Sequence, residues 1–228
     1  MAATETGFKP ATIRHHPERF LSLTAWATAR GYPLGRRMTK HERRVVAVIS
    51  AHPTHTMTLT SASATHEEMA DQFRRVVKRL NRWLGRRSPQ NPKRLVYVAT
   101  LASARDSGRY HAHALLWTYV HAPTLHGICR EVGLGRPTLR KLPDRPAGDI
   151  HYWTQVAYVL TQDEPAFGTE KHLENESRPV SARRLLYPQR ATLERHCPQL
   201  LSALEDANDP TVPGETLLSR LPNFSISK

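Results

Sequence analysis

Two histidines one residue apart, His111 and His113, sit in the run Arg109–Thr118, RYHAHALLWT. Side chains alternate along a strand, so both imidazoles project from one face, roughly 7 Å apart. Neutral imidazoles on a rigid strand can grip one divalent cation. Most such pairs are surface or packing histidines. Here the pair leads straight into Leu115-Leu116-Trp117, so it belongs to an otherwise buried strand, where imidazoles must find partners. Two tyrosines, Tyr152 and Tyr158, share the run Asp149–Gln162, DIHYWTQVAYVLTQ. A phenol titrates near pH ~10 and is ordinarily a core or rim residue. It becomes a nucleophile when set against an electrophile that a metal polarises. For a basic protein the natural electrophile is phosphate.

The chain is basic. It carries 33 Lys+Arg against 20 Asp+Glu, a formal charge of +13 before any of 13 histidines is protonated. The cations are mostly arginine, whose planar fork binds phosphate in bidentate fashion, which makes nucleic acid a natural partner. An arginine-rich proteome would give the same composition, so charge by itself does not decide. At 228 residues with 39% hydrophobic content, the length suits one domain, or one domain with an extension. No run of about 18 apolar residues is present, which argues against a membrane span. The start, MAATETGFKPATIRHH, lacks the apolar stretch of a signal peptide. Two cysteines, Cys129 and Cys197, make no disulfide scaffold and fit a reducing cytoplasm. No P-loop, dinucleotide fingerprint or GxSxG motif occurs. His121, His126 and Cys129 lack the paired spacing of a zinc site.

Elements that position the histidines follow from periodicity. His55–Thr60, HTMTLT, alternates as a strand with Met57 and Leu59 on one face and the threonines on the other. Thr65-His-Glu-Glu68 forms a capping box that opens a helix to about Leu84, with Gly85 as its stop. Its apolar stripe is Met69, Phe73, Val76, Val77, Leu80, Trp83 and Leu84. Its other face carries Arg74, Arg75, Lys78 and Arg79, a surface able to track a DNA backbone or simply a solvated helix face. Arg94–Leu101 and Arg109–Thr118 read as a hairpin around the turn Asp106-Ser-Gly108. A short helix over Leu125–Val132, a strand over Thr138–Leu142 and a helix over Asp149–Gln162 follow. A further helix over Thr192–Asp206 is interrupted near Pro198. Glu18–Arg30 suits a short helix, and Lys40–Ser50 fits a helix or a strand. Trp117 is better suited to core packing than to stacking on bases, a role also open to Trp153. The order predicts an α+β fold with an antiparallel sheet.

The strand Gly108-Arg-Tyr-His-Ala-His-Ala-Leu-Leu116 resembles motif 2 of the HUH endonucleases, in particular the rolling-circle replication initiators of phages and plasmids. Thr56-Met-Thr-Leu-Thr60 resembles their motif 1 strand, and Tyr158-Val-Leu-Thr161 stands where their motif 3 places the catalytic tyrosine. The likeness spans roughly residues 54–165.

The resemblance implies a five-stranded antiparallel sheet with a ferredoxin-like or RRM-like core flanked by helices. The chain is expected to divide into an N-terminal extension over 1–50, a core over 51–170 that carries the likeness, and a helical C-terminal extension with an irregular tail over 171–228; neither extension carries the resemblance. The resemblance implies Mg²⁺ or Mn²⁺ held by His111 and His113, with Tyr158 attacking a phosphodiester of single-stranded or hairpin DNA at a replication origin. A 5′-phosphotyrosine and a free 3′-OH result, and the DNA is later rejoined. A host helicase or polymerase would be a further partner of such a nickase.

Two positions depart from the family pattern. Thr161 stands where motif 3 usually has lysine, and Ala102 stands near the position where many relatives place a carboxylate ligand. Gln155, one helical turn before Tyr158, is the first choice for a third ligand, with His52, His55 or water as substitutes. Arg109 and Thr161 are candidate DNA contacts, and Tyr152 is the reserve nucleophile. Two alternatives stay open: a relative that binds single-stranded or hairpin DNA without cutting it, and a transposase or relaxase on the same core.

Overall fold

The computed structural model describes residues 40–61, 65–87, 93–103, 110–142, 156, 185–213, 216–217 and 220. Outside them lie the expected helix over Glu18–Arg30, the Asp106 turn, Arg109, Trp153 and, apart from Val156, the whole run over Asp149–Gln162 that carries Tyr152, Gln155, Tyr158 and Thr161.

The described elements are α1 (Lys40–Ser50), β1 (His55–Thr60), α2 (His66–Arg87), β2 (Tyr97–Ser103), β3 (Tyr110–Leu116), α3 (Ala122–Val132), β4 (Thr138–Lys141), α4 (Arg190–His196) and α5 (Pro198–Asn208). The strands form one sheet in the order β2-β3-β1-β4, every pair antiparallel. This is the expected α+β antiparallel architecture. In place of the fifth strand implied by the resemblance, the described sheet has a single bridge at the β2 edge. There Leu186 and Ala99 exchange both backbone hydrogen bonds, at 2.7 and 2.8 Å.

The sheet is covered on both faces. Met57 and Leu59 of β1, Leu101 of β2 and Ala112, Ala114 and Leu116 of β3 join a cluster with Met69, Phe73, Val76, Leu80 and Leu84 of α2 and Leu125, Ile128 and Cys129 of α3. The alternate residues Val98 and Leu115 join a second cluster with Val46 and Ile49 of α1, Leu193 of α4, and Leu200 and Leu204 of α5. Val156 is helical, fully buried and part of that second cluster.

Several boundaries differ from the sequence expectation. The Thr65 hydroxyl accepts the Glu68 backbone N–H at 3.2 Å, as the cap predicts. The helix nevertheless runs through Gly85 to Arg87, because Gly85 keeps helical dihedrals instead of turning left-handed. The Arg87 guanidinium lies 5.0 Å from the Trp83 ring centre and braces that last turn. Strand β2 starts at Tyr97, not Arg94, since the preceding backbone is bonded elsewhere: Leu95 N–H to Asn81 Oδ1 at 2.8 Å and Val96 N–H to the Thr118 hydroxyl at 3.0 Å. Lys40–Ser50, ambiguous by period, is a helix. The break near Pro198 divides α4 from α5, with Pro198 opening the second helix, where its missing N–H costs nothing. Trp117 packs against the second cluster and donates its indole N–H to Ala51 O.

One side chain locks α1 to α5. The Arg43 guanidinium donates to the carbonyls of Ala207 (2.9 Å), Asp206 (2.9 Å), Asp209 (2.6 Å) and Val212 (2.8 Å). Those carbonyls lie at and just past the C-terminus of α5, where helix carbonyls lack intrahelical donors and the dipole favours a cation. Arg44 adds two bonds to Asn208 Oδ1, at 3.0 and 2.8 Å.

Two expectations follow. Arg43→Ala lowers unfolding free energy by about 1.5–3 kcal/mol in urea titrations, the range for bonds to a charged group; an unchanged midpoint would show that the clamp carries no stability. Cys129 is fully buried with its thiol pushed up to about 12, and Cys197 is 1% exposed with its thiol also raised by burial. A disulfide exchange reagent at pH 8 therefore titrates neither cysteine in the native chain and both after unfolding.

Candidate metal and nucleic-acid site

Strand β3 is central, hydrogen-bonded to β1 on one side and β2 on the other. Its register places Thr58 opposite His113 and Thr60 opposite His111 across β1, and Thr100 and Ala102 opposite the same histidines across β2. Since Ala112, Ala114 and Leu116 point to the α2 side, the imidazoles project from the opposite face. That face therefore presents two rows, Thr58–His113–Thr100 and Thr60–His111–Ala102. The next row, Thr56–Leu115–Val98, lies under the second apolar cluster.

The imidazole rings lie closer than backbone spacing alone suggests, with centroids 4.5 Å apart and planes at 88°. Two imidazoles bound at about 2.1 Å in adjacent octahedral positions would have centroids at a similar spacing, roughly 4.5 Å. His113 is 7% exposed. Burial first, and the adjacent His111 second, push its pKa down to about 3, so its ring is neutral at physiological pH, the form that ligates a metal. The Thr58 hydroxyl lies 3.1 Å from His113 Nδ1. In the tautomer whose Nδ1–H donates to Thr58, Nε2 keeps its lone pair for a cation.

Ala102 occupies the cross-strand position beside His111, and among the described residues no group of three or more His, Cys, Asp or Glu side chains could hold a metal. The substitutes His52 and His55 are elsewhere. His55 pairs with Leu116 at the other end of β1, its ring edge-on to Tyr119 at 5.8 Å. His52 is exposed in the turn before β1, at φ 53°. Gln155, Tyr152, Tyr158, Thr161 and Arg109 lie outside the described residues. Val156, between Gln155 and Tyr158 in sequence, belongs to the cluster on the imidazole face of the sheet.

The arginine face of α2 is not brought to the histidines. Because α2 packs on the opposite face of the sheet, Arg74, Arg75, Lys78 and Arg79 point to solvent on the far side. Arg74 pairs with Asp71 at 2.7 Å, and Arg79 pairs with Glu131 of α3, tying the two helices together. Sequence reading missed the Thr58 contact, because a cross-strand pair depends on register. The alternation of Thr56, Thr58 and Thr60 was its only local signal.

No protein-family model, no curated protein and no solved structure matches this chain.

Burial of neutral His113 has a pH signature. Between the unfolded pKa of 6.5 and the folded value of about 3, the unfolded chain binds the extra proton. The contribution is complete above pH 6.5 and declines as pH falls toward 3. Urea midpoints measured from pH 8 to pH 5 in chelator should fall for the parent and fall less for His113→Gln. Parallel declines would exclude His113 as the source.

Proposed function

We propose that this chain is a metal-dependent endonuclease that nicks and rejoins single-stranded DNA by transesterification, of the HUH type that initiates rolling-circle replication. The observation that carries the reading is the imidazole pair: two rings 4.5 Å apart on the central strand, one of them held neutral by burial. The element order β1-α2-β2-β3-α3-β4, with sheet order β2-β3-β1-β4, supports a split β-α-β core of the ferredoxin-like or RRM-like kind. Val156, two residues before Tyr158 in sequence, is buried on the imidazole side of the sheet. The basic charge suits a polyanionic substrate.

In this reading His111 and His113 would hold Mg²⁺ or Mn²⁺, with the Thr58 hydroxyl beside His113 Nδ1 fixing its tautomer. The bound cation would supply charge stabilisation at the phosphate. The Tyr158 phenol oxygen attacks phosphorus and loses its proton, the P–O3′ bond breaks, and the departing oxygen takes up a proton as a free 3′-OH. The 5′-phosphate stays on the tyrosine until a 3′-OH reverses the step. Tyr152 is the reserve nucleophile, Gln155 the proposed third ligand, and Arg109 and Thr161 the proposed DNA contacts. A host helicase or polymerase would act after the nick.

A second reading is favoured by one observation. The cross-strand neighbour of His111 is the methyl group of Ala102, where a carboxylate would complete a ligand set. Alanine in that cross-strand position suits a relative that binds single-stranded or hairpin DNA and does not cut it.

A denaturing gel with labelled single-stranded and hairpin oligonucleotides and Mn²⁺ distinguishes the two. The hairpins should include those flanking the protein's own gene. The nickase gives a covalent protein–DNA band that persists in Tyr152→Phe and disappears in Tyr158→Phe. Loss only in Tyr152→Phe moves the nucleophile, and no band with binding intact supports the second reading. His111→Ala/His113→Ala should weaken Mn²⁺ binding by at least tenfold in calorimetry. Parent-like Mn²⁺ affinity in that variant would sink the metal site.

A further inference from the structure

The side of α3 that faces away from the apolar cluster forms one wall of an open groove of about 690 Å³. Pro123, His126, Gly127 and Arg130 recur at helical spacing along that wall. The opposite wall is the link into β4, including Arg136 and Pro137. The turn that brings the walls together is set by Gly133, whose φ of 81° ends α3 and lets Leu134 N–H return to Cys129 O at 2.9 Å. The link is then pinned to the sheet: Gly135 N–H donates to Thr60 O at 3.0 Å, and Leu134 bridges Ser61. Thr60 pairs with His111, so the groove adjoins the end of the sheet that carries the histidines, on the side covered by α2 and α3.

Two properties point to a ligand. The first is charge. Arg130 and Arg136 are both exposed, no carboxylate lines the groove, and neither guanidinium has an ion-pair partner among the described residues. This contrasts with Arg74 and Arg79 on α2, which are both paired. The second is Gly127. Glycine inside a helix costs about 1 kcal/mol relative to alanine. A Cβ at Gly127 would meet nothing within 4 Å, so no packing in the fold requires its absence. What the missing side chain leaves is space in the groove. The volume falls in the range that encloses small ligands, about one or two nucleotides and too little for a duplex. Proline walls offer apolar surface for a sugar or base, and two guanidinium forks suit phosphates.

We infer that the α3–β4 groove binds a single nucleic-acid strand, with Arg130 and Arg136 on consecutive backbone phosphates and Gly127 leaving room for the sugar or base between them. The site is separate from the metal chemistry and does not rest on it.

The test is fluorescence anisotropy of labelled (dT)₁₂ and (rU)₁₂ on the full chain across a salt series. The two probes separate DNA from RNA as the strand taken. For the tighter probe, Arg130→Gln/Arg136→Gln should weaken binding at least tenfold. It should also flatten the slope of log affinity against log salt by about 1.4, the value for two phosphates on a single strand. Gly127→Leu should weaken binding while its thermal midpoint is unchanged or raised, since a helix former replaces glycine and fills only the groove. All titrations are run in EDTA, so that no metal-dependent contact or nicking contributes, which keeps this outcome apart from any failure of the nicking reaction. Parent-like affinity and salt slope in both groove variants would overturn the inference, as would loss confined to an Arg75→Gln/Lys78→Gln control on α2.

Discussion

The register of β3 between β1 and β2 is the constraint on which the rest depends. With Ala112, Ala114 and Leu116 turned toward α2, His111, His113 and Leu115 face the other side. A slip of one residue would drive both imidazoles into the apolar cluster beneath α2 and expel three apolar side chains from it. Burying imidazoles without polar neighbours costs several kcal/mol by the usual transfer scales, of order 2–7 kcal/mol per group. In the observed register His113 is buried beside two hydroxyl-bearing residues, Thr58 and Thr100, and its Nδ1 meets the Thr58 hydroxyl. The same alternation that builds the core therefore selects the face on which the imidazoles sit.

Cover over that face is uneven, and this gives the site its character. The row containing Leu115 and Val98 lies under α1, α4 and α5, held in place by the Arg43 clamp at the end of α5. Further along β3, His113 is buried and His111 is only half-buried. A gradient from apolar core to accessible imidazole along one strand lets one ring be held neutral and fixed while its neighbour remains reachable. The opposite helical layer ends in the α3–β4 groove, whose β4-side wall is hydrogen-bonded to the strand end beside His111. The imidazoles are thus gathered at one end of a sheet whose other end is packed on both faces.

Much of this was legible locally. Alternation in HTMTLT, the Thr65 cap and the 3.6-residue stripe of α2 each express a short-range rule, and the strand and helix they predict are present. The failures were also local in origin. Gly85 read as a stop, yet the helix continued because the Arg87–Trp83 contact stabilises a further turn. Arg94–Val96 read as strand by composition, but Asn81 and Thr118 took up backbone donors there.

By itself the sequence determined an α+β chain with a basic surface, a buried strand carrying two imidazoles on one face, and the absence of an acid at position 102. Those follow from side-chain type and from the two-residue period of a strand. Only the tertiary structure decided that the threonines of β1 stand beside those imidazoles and that the α2 arginines lie on the far side of the sheet. It also decided that Gly127, Arg130 and Arg136 share one groove. Each of these depends on strand order and helix placement, which are set by contacts between residues tens of positions apart that no local pattern encodes.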